Sequence, residues 1–345
     1  MKPNSCPKKN RYTFIAWQRE GEAFRFTRFA AAFGTKTLNF YRTRWLGIRP
    51  PLPVRYLLQA WDTVRELRKS RPDVVVVQTP PFPLTLLAWL YARCYGARYV
   101  TDNHSGTFTD PKWLRFNFID RFLFRRAAAN IAHNSKNFDT LAGWKANRPL
   151  LIPSPAVFQD EILDESAPLP ADLEEKLSKS QCKILYVNRF TAWNCYNEAM
   201  EAARLMPEAV FFITGDPAVG NLDLSRVPEN VVLTGLLPRK IFIKLMSKCD
   251  AVLTLTKLKD AVAWTYRDCL ALKKPFVGTD NCVARELFAE FGLFTIPDPR
   301  EIAERLKEVL ERREEFIPKM STYIGQDKER WQRDVQTLDS MLTSG

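Results

Sequence analysis

Apolar and polar positions in the first 150 residues alternate between two rhythms. "RYTFIAW", from Arg11, and "KTLNFY", from Lys36, are short apolar runs of strand character. "GEAFRFTRFAAAFG" carries its apolar residues at helical spacing and closes on Gly34. "PVRYLLQAWDTVRELRKSRP" repeats that spacing and ends in a basic last turn before Pro72, a helix stop. "DVVVVQTPP" is a continuous β-branched run, the pattern of a strand covered on both faces of a parallel sheet. A helix ("LTLLAWLYARCYG"), a strand ("ARYVTDNH"), one long helical stretch ("WLRFNFIDRFLFRRA") and a short strand ("ANIAHNS") complete the series.

After the proline- and acid-rich segment from Ile152, a second alternating series begins at Lys183. It runs "KILYVNRF", helix "NEAMEAARLM", strands "AVFFITG" and "NVVLTG", helix "PRKIFIKLMSKC", strand "DAVLTLT", helix "YRDCLAL" and strand "KPFVGTD". The expected architecture is α/β: two Rossmann-like, doubly wound domains facing a cleft. Residues 1–155 form the first domain, 156–182 a linker with a short helix, and 183–320 the second. Residues 321–345 are a helical tail expected to pack back on the first domain. In such sheets ligands bind outside the carboxyl ends of the strands. No G-x-G-x-x-G follows a predicted strand, which counts against a nicotinamide or flavin enzyme.

Charge divides the two halves. Residues 1–150 hold 26 Lys/Arg against 9 Asp/Glu, and residues 151–345 hold 25 against 30. The basic half is the one expected to meet a polyanion, membrane or nucleic acid. No stacking motif or recognition fold accompanies the charge, so nucleic acid is the weakest reading. Seven scattered cysteines without a C-x-x-C pair, and two histidines, argue against disulfides and against a zinc site. "MKPNSCPKKN" has no apolar core after its basic start, and the run from Pro83 is too short to span a bilayer. The expected location is cytoplasmic, peripheral to the inner face of a membrane.

The stretch "KDAVAWTYRDCLALKKPFVGTDN" sets Asp260 and Asp268 eight apart, just before a helix and a buried strand. With "YVNRF", "FFITGD", "VVLTGLLPRK" and "TIPDPREIAERL", in that order, residues 183–310 resemble the carboxy-terminal domain of GT-B glycosyltransferases, above all the large retaining superfamily that uses nucleotide sugars. The resemblance implies that Arg189 binds the donor diphosphate, for which a guanidinium fork is suited. The family's lysine five residues later is absent, and Asn194 stands there. Asp260 and Asp268 match the family's paired glutamates, one near the sugar and one on the ribose, each shorter by a methylene. Gly215, Gly235 and Leu236 would border the nucleotide, and Trp264 and Thr265 its phosphates and sugar. Taken without that context, Asp268 reads as a helix cap and Asp260 as a solvated loop acid.

"VVVVQTPPFPLTLLAWLYARCYGARYVTDNHSGTF" is similar to a region of the mannosyltransferases that extend chitobiose on a polyprenyl diphosphate, through Gln78, Pro80, Pro81, Pro83, Asp102 and His104. That implies a lipid-linked acceptor near Gln78, Pro80, Pro81, Ser105 and Gly106. Asp102 or His104 suits a general base if the reaction inverts. If it retains configuration, His104 binds the donor instead. His133 reads as structural, with Ser135 as a helix N-cap.

"FYRTRWLGIRPPLPVRYLLQAW" and "WLRFNFIDRFLFRR" interleave rings with arginine, which suits a lipid interface; the alternative is that Phe116, Phe118, Phe122 and Phe124 are core. The resulting expectation is a glycosyltransferase moving a sugar from a GDP- or UDP-sugar to a lipid-linked or other anionic glycan, with no cofactor and no metal. The rivals are a catalytically silent GT-B protein that binds a glycan or a partner enzyme, and a sugar-nucleotide epimerase.

Overall fold

The computed structural model describes residues 11–18, 24–41, 50–258 and 262–343. It divides into two compact units: residues up to Pro155 together with those from Glu329 onward, and Ala156–Lys328.

The first unit holds strands β1 (Tyr12–Ala16), β2 (Thr37–Asn39), β3 (Val74–Thr79), β4 (Arg98–Asn103), β5 (Ala129–Ala132) and β6 (Pro149–Leu151). They form one parallel sheet in the order β2-β1-β3-β4-β5-β6. Because side chains alternate across a strand, the valine run of β3 serves two cores. Val74 and Val76 pack with Phe14, Phe26, Phe29 and Val100 on one face. Val75 and Val77 pack with Ile15, Leu67, Leu84 and Tyr99 on the other. The first face is closed by the helix Phe24–Ala32 and by the end of the long helix Arg313–Thr343, whose Leu338 and Leu342 are buried there.

The second unit holds β7 (Cys182–Tyr186), β8 (Ala209–Thr214), β9 (Val231–Gly235), β10 (Ala251–Thr254), β11 (Phe276–Thr279) and β12 (Leu293–Thr295), ordered β12-β11-β10-β7-β8-β9 and all parallel. The order reverses between β7 and β10, which opens the crevice where such sheets take ligands.

Three local expectations differ from the structure. The long helical stretch is two short helices, Pro111–Leu114 and Asn117–Phe124. Asp110 caps the first, and Phe116 at φ −105°, ψ 9° leaves the helical region between them. The edge strands β6 and β12 are three residues each, too short to show a period. Asn134, and not Ser135, caps the helix Ser135–Gly143, its side chain accepting from Asn137 N at 2.8 Å. Among the aromatics of 116–124, Phe124 is core while Phe118 is 70% exposed.

Candidate active site

In the first unit, chemistry collects at the carboxyl edge of three neighbouring strands. Parallel register sets Gln78 beside Asp102 and Asp102 beside Ile131. His104 and His133 each stand one residue past the end of β4 and β5. Their rings therefore meet, centroids 4.5 Å apart and at 74°. Asp102 lies two residues beyond Val100 and so points to the same face, where the helix Phe24–Ala32 brings Arg25.

The Asp102 carboxylate is fully buried. Arg25 donates to it from Nη2 at 3.1 Å, and His133 Nε2 lies 2.9 Å from Oδ1. Arg25 Nη2 also donates to Ile152 O at 2.8 Å, which fixes the guanidinium. Burial alone would push the carboxyl pKa up, but Arg25 and then His133 outweigh it, so Asp102 stays ionised well below the usual carboxylate range. An ionised carboxylate accepts only, so His133 carries its proton on Nε2. His104 Nε2 is 3.8 Å from Oδ2, beyond a hydrogen bond. Burial, then His133, push the His104 pKa down to about 3 against the pull of Asp102, leaving a neutral imidazole. It touches Gln78 Nε2 at 2.5 Å, while Gln78 Oε1 has no partner. Turning that amide over would let Oε1 accept from His104 Nε2–H, so amide and tautomer are set together.

Among the described residues, Asp102, His104 and His133 form a group whose ligand atoms lie within 4.8 Å of one another. A dication there would share the carboxylate with the Arg25 cation, an unfavourable charge arrangement.

Ser105 Oγ lies 3.2 Å from Asn137 Nδ2, and a side chain at Gly106 would meet Pro80 only at 3.8 Å, an ordinary contact. Pro80 and Pro81 both follow cis peptide bonds.

In the second unit the groups sit past β7, β8, β9 and β10. The turn after β7 is tied to β8, with Asn188 N donating to Thr214 Oγ1 at 3.0 Å. Gly215, at φ +103°, is packed so tightly against this turn that a Cβ would lie 2.6 Å from Asn188 O and 2.9 Å from Arg189 Cα. The close approach at Gly215 is thus made by the chain's own backbone. It leaves Arg189 exposed, and among the described residues its guanidinium has no ion pair. Asn194 turns inward, accepting from Thr191 N at 3.2 Å and Thr191 Oγ1 at 2.9 Å, and braces the loop. Next to it, Trp193 O accepts from Lys257 N at 2.7 Å, so the loops after β7 and β10 meet at the crevice. Lys257 Nζ stands 3.4 Å from Glu198 Oε1.

Asp268 lies in the first turn of the helix Thr265–Ala271 and is 2% exposed. Both its oxygens are taken by Arg239, from Nη1 at 2.8 Å and Nη2 at 2.5 Å. Burial raises the Asp268 pKa, and Arg239 offsets this only in part. Gly235 adopts φ +68° with open space beside it, and Leu236 is strongly exposed. Thr265 is buried, and Trp264 lies against Arg267, 5.2 Å from ring centroid to guanidinium. Asp260 lies outside the described residues.

The structure therefore brings Gln78, Asp102 and His104 together in one cluster, and Arg189, Asn194 and Gly215 in one turn. Arg25 and Arg239 were not singled out from the sequence, and His133 was read there as structural. Arg25 and Arg239 look like ordinary helix-surface cations there, and only their long-range partners distinguish them.

Two protein-family models match the chain: a glycosyl transferase 4-like domain over residues 12–149 and the glycosyl transferases group 1 over residues 172–330. No curated protein sequence matches it. Among solved structures, a glycosyltransferase from Rickettsia africae aligns at TM-score 0.69 and 15% identity, covering 96% of this chain and 99% of that one. HepE from Anabaena, in complex with UDP and glucose, aligns at 0.66 and 13%, covering 97% and 99%. An E. coli structure, trehalose-6-phosphate bound with UDP-2-fluoro glucose, aligns at 0.66 and 14%, covering 96% and 99%. At these identities the structural likeness speaks for the fold.

Proposed function

The chain belongs to the GT-B glycosyltransferases, and we propose that within them it moves a sugar from a UDP-sugar, held by the second unit, to a lipid-linked or other anionic glycan, held by the first, at a membrane surface. The observation that carries the donor half is the crevice between β7 and β10, with exposed Arg189 at its rim. A guanidinium there is suited to the leaving diphosphate. Lys257, on the adjoining loop, supplies a second cation near the turn where Asn194 replaces the family's lysine. With two such cations and a neighbouring helix N-terminus, the leaving group needs no metal. UDP is favoured over GDP because HepE and the E. coli neighbour carry uracil nucleotides.

In the first unit, Asp102 is too buried to meet substrate and acts through the histidines. It fixes the His133 ring and, with it, the wall against which His104 stands. Neutral His104, partly exposed, is chemically suited to accept from an acceptor hydroxyl.

The acceptor reading rests on a basic helical layer with rings turned outward. On the helices Leu52–Ser70 and Asn117–Phe124, Trp61 and Phe118 are 69% and 70% exposed, with Arg65, Arg68 and Arg121 on the same two helices and Arg115 just before the second. Rings and arginines so mixed suit a head-group layer. No helix among the described residues is long and apolar enough to cross a membrane.

Thermal unfolding with UDP, GDP, ADP, TDP and CMP tests the donor assignment. UDP at a hundred times its Kd is expected to add about 2.7 kcal/mol, with the others giving little. No shift with any nucleotide overturns it.

A further inference from the structure

We infer that Arg239, and not the carboxylate of Asp268, is the group that meets the donor nucleoside, with Asp268 holding it in place from behind. The inference rests on the donor reading of the second unit and changes which residue does the recognising.

The pair is asymmetric. Asp268 is 2% exposed and Arg239 51%, so a ligand arriving from solvent reaches the guanidinium first. Both carboxylate oxygens already accept from Arg239, at 2.8 and 2.5 Å. Each oxygen keeps a lone pair, but with Asp268 only 2% exposed, ribose hydroxyls would reach it only if the guanidinium swung aside. A buried carboxylate would then face only neutral hydroxyls, and stripping a buried charge of its partner is the costly direction. Burial already raises the Asp268 pKa with Arg239 present. Keeping the pair intact is the cheaper course.

The guanidinium has five N–H donors, of which Asp268 takes two. Those remaining, on a half-exposed group, are free to donate to oxygen acceptors. Arg239 opens the helix Arg239–Lys248, four residues past Gly235 and three past the exposed Leu236, at the carboxyl edge of β9. Its other contact is loose, with Phe242 at 5.6 Å. A nucleoside diphosphate offers what this group selects: ribose oxygens, carbonyl oxygens on the base and a nearby negative charge. The aspartate is a methylene shorter than a glutamate, and the arginine spans the gap that the shorter side chain leaves.

The test is titration of UDP and GDP into the full-length protein and into R239A, R239K, D268N and the R239A/D268N double variant, with ligand-free unfolding beside it. Expected is a loss of about tenfold or more in affinity for R239A, the scale of one hydrogen bond from a charged group. R239K should recover part of it, since lysine keeps the charge but not the fork. D268N should lose less than R239A, and the double variant no more than R239A alone. Unchanged or tighter binding by R239A or R239K, in protein that folds, overturns the inference and makes Arg239 a mere cover for the acid. So does a D268N loss larger than that of R239A. Failure of the unsubstituted protein to bind either nucleotide overturns the donor reading instead.

Discussion

Asp102 and Asp268 are both buried acids at the carboxyl edge of a parallel sheet, and each is held by an arginine. The arginines differ. Arg25 is 2% exposed and Arg239 51%. In the first unit the cation is sunk with the anion, shielded from water, and it drives the Asp102 pKa down despite burial. In the second the cation is half in solvent, and burial wins: the Asp268 pKa is raised. Solvent weakens an ion pair seen from one side. The first arrangement is a frame that fixes the His133 imidazole, against which His104 stands; the second offers a guanidinium outward.

One substitution made in both places breaks this comparison most sharply. Arg25→Leu leaves Asp102 buried and without its cation, and is expected to cost about 3–5 kcal/mol. Arg239→Leu also strips a buried carboxylate, but from a side open to solvent and with an acid whose pKa is already raised, so it is expected to cost less, about 1–3 kcal/mol. Urea unfolding of the two variants checks it. Equal costs would mean that exposure does not govern these pairs.

A third acid sharpens the point. Asp120, in the helix Asn117–Phe124, is buried like the other two, yet its Oδ1 has no hydrogen-bond partner. Burial alone pushes its pKa up to about 7. A folded pKa above the unfolded value, roughly 3.9, means that the folded state binds the extra proton between those limits. Stability is then lost as pH rises from about 4 to about 7. Asp120→Asn is expected to stabilise by about 1–3 kcal/mol at pH 8, with the gain shrinking to nothing near pH 4. Unfolding at pH 4, 6 and 8 measures it, and a gain independent of pH would sink the assignment.

How much of this the sequence carried depends on distance along the chain. The valine run Val74–Val77 announced a two-faced strand because period-two burial is local, and both cores duly use it. Arg189 and Asp268 stood out through an ordered series of strand-end motifs, which locates them in the fold and leaves their roles to experiment. Arg25 was not, since its partner is 77 residues away and an arginine on an amphipathic helix reads as solvated. The same holds for Arg239, 29 residues from Asp268. His133 read as structural because nothing nearby reveals that β4 and β5 set it beside Asp102. The roles of Asn194 and Gly215 were blurred for another reason: a loop's internal bonds are invisible until the loop is closed.

The smallest expected change in stability bears on the face of the first unit that neither buried pair touches. Trp61 is 69% exposed on the helix Leu52–Ser70, one turn from Leu57 at 70%, and its ring makes little contribution to a core. Trp61→Ala should therefore alter unfolding by no more than about 0.5 kcal/mol, the usual range for surface positions. If the ring lies in a head-group layer, the same change lowers binding to vesicles of anionic phospholipid several-fold and leaves binding to neutral vesicles, weak from the start, much as it was. Raising salt should weaken the anionic binding of both proteins in parallel, because the arginines remain. Sedimentation with the two vesicle types separates the outcomes. Equal binding by Trp61→Ala and the parent would remove the ring from the proposed interface.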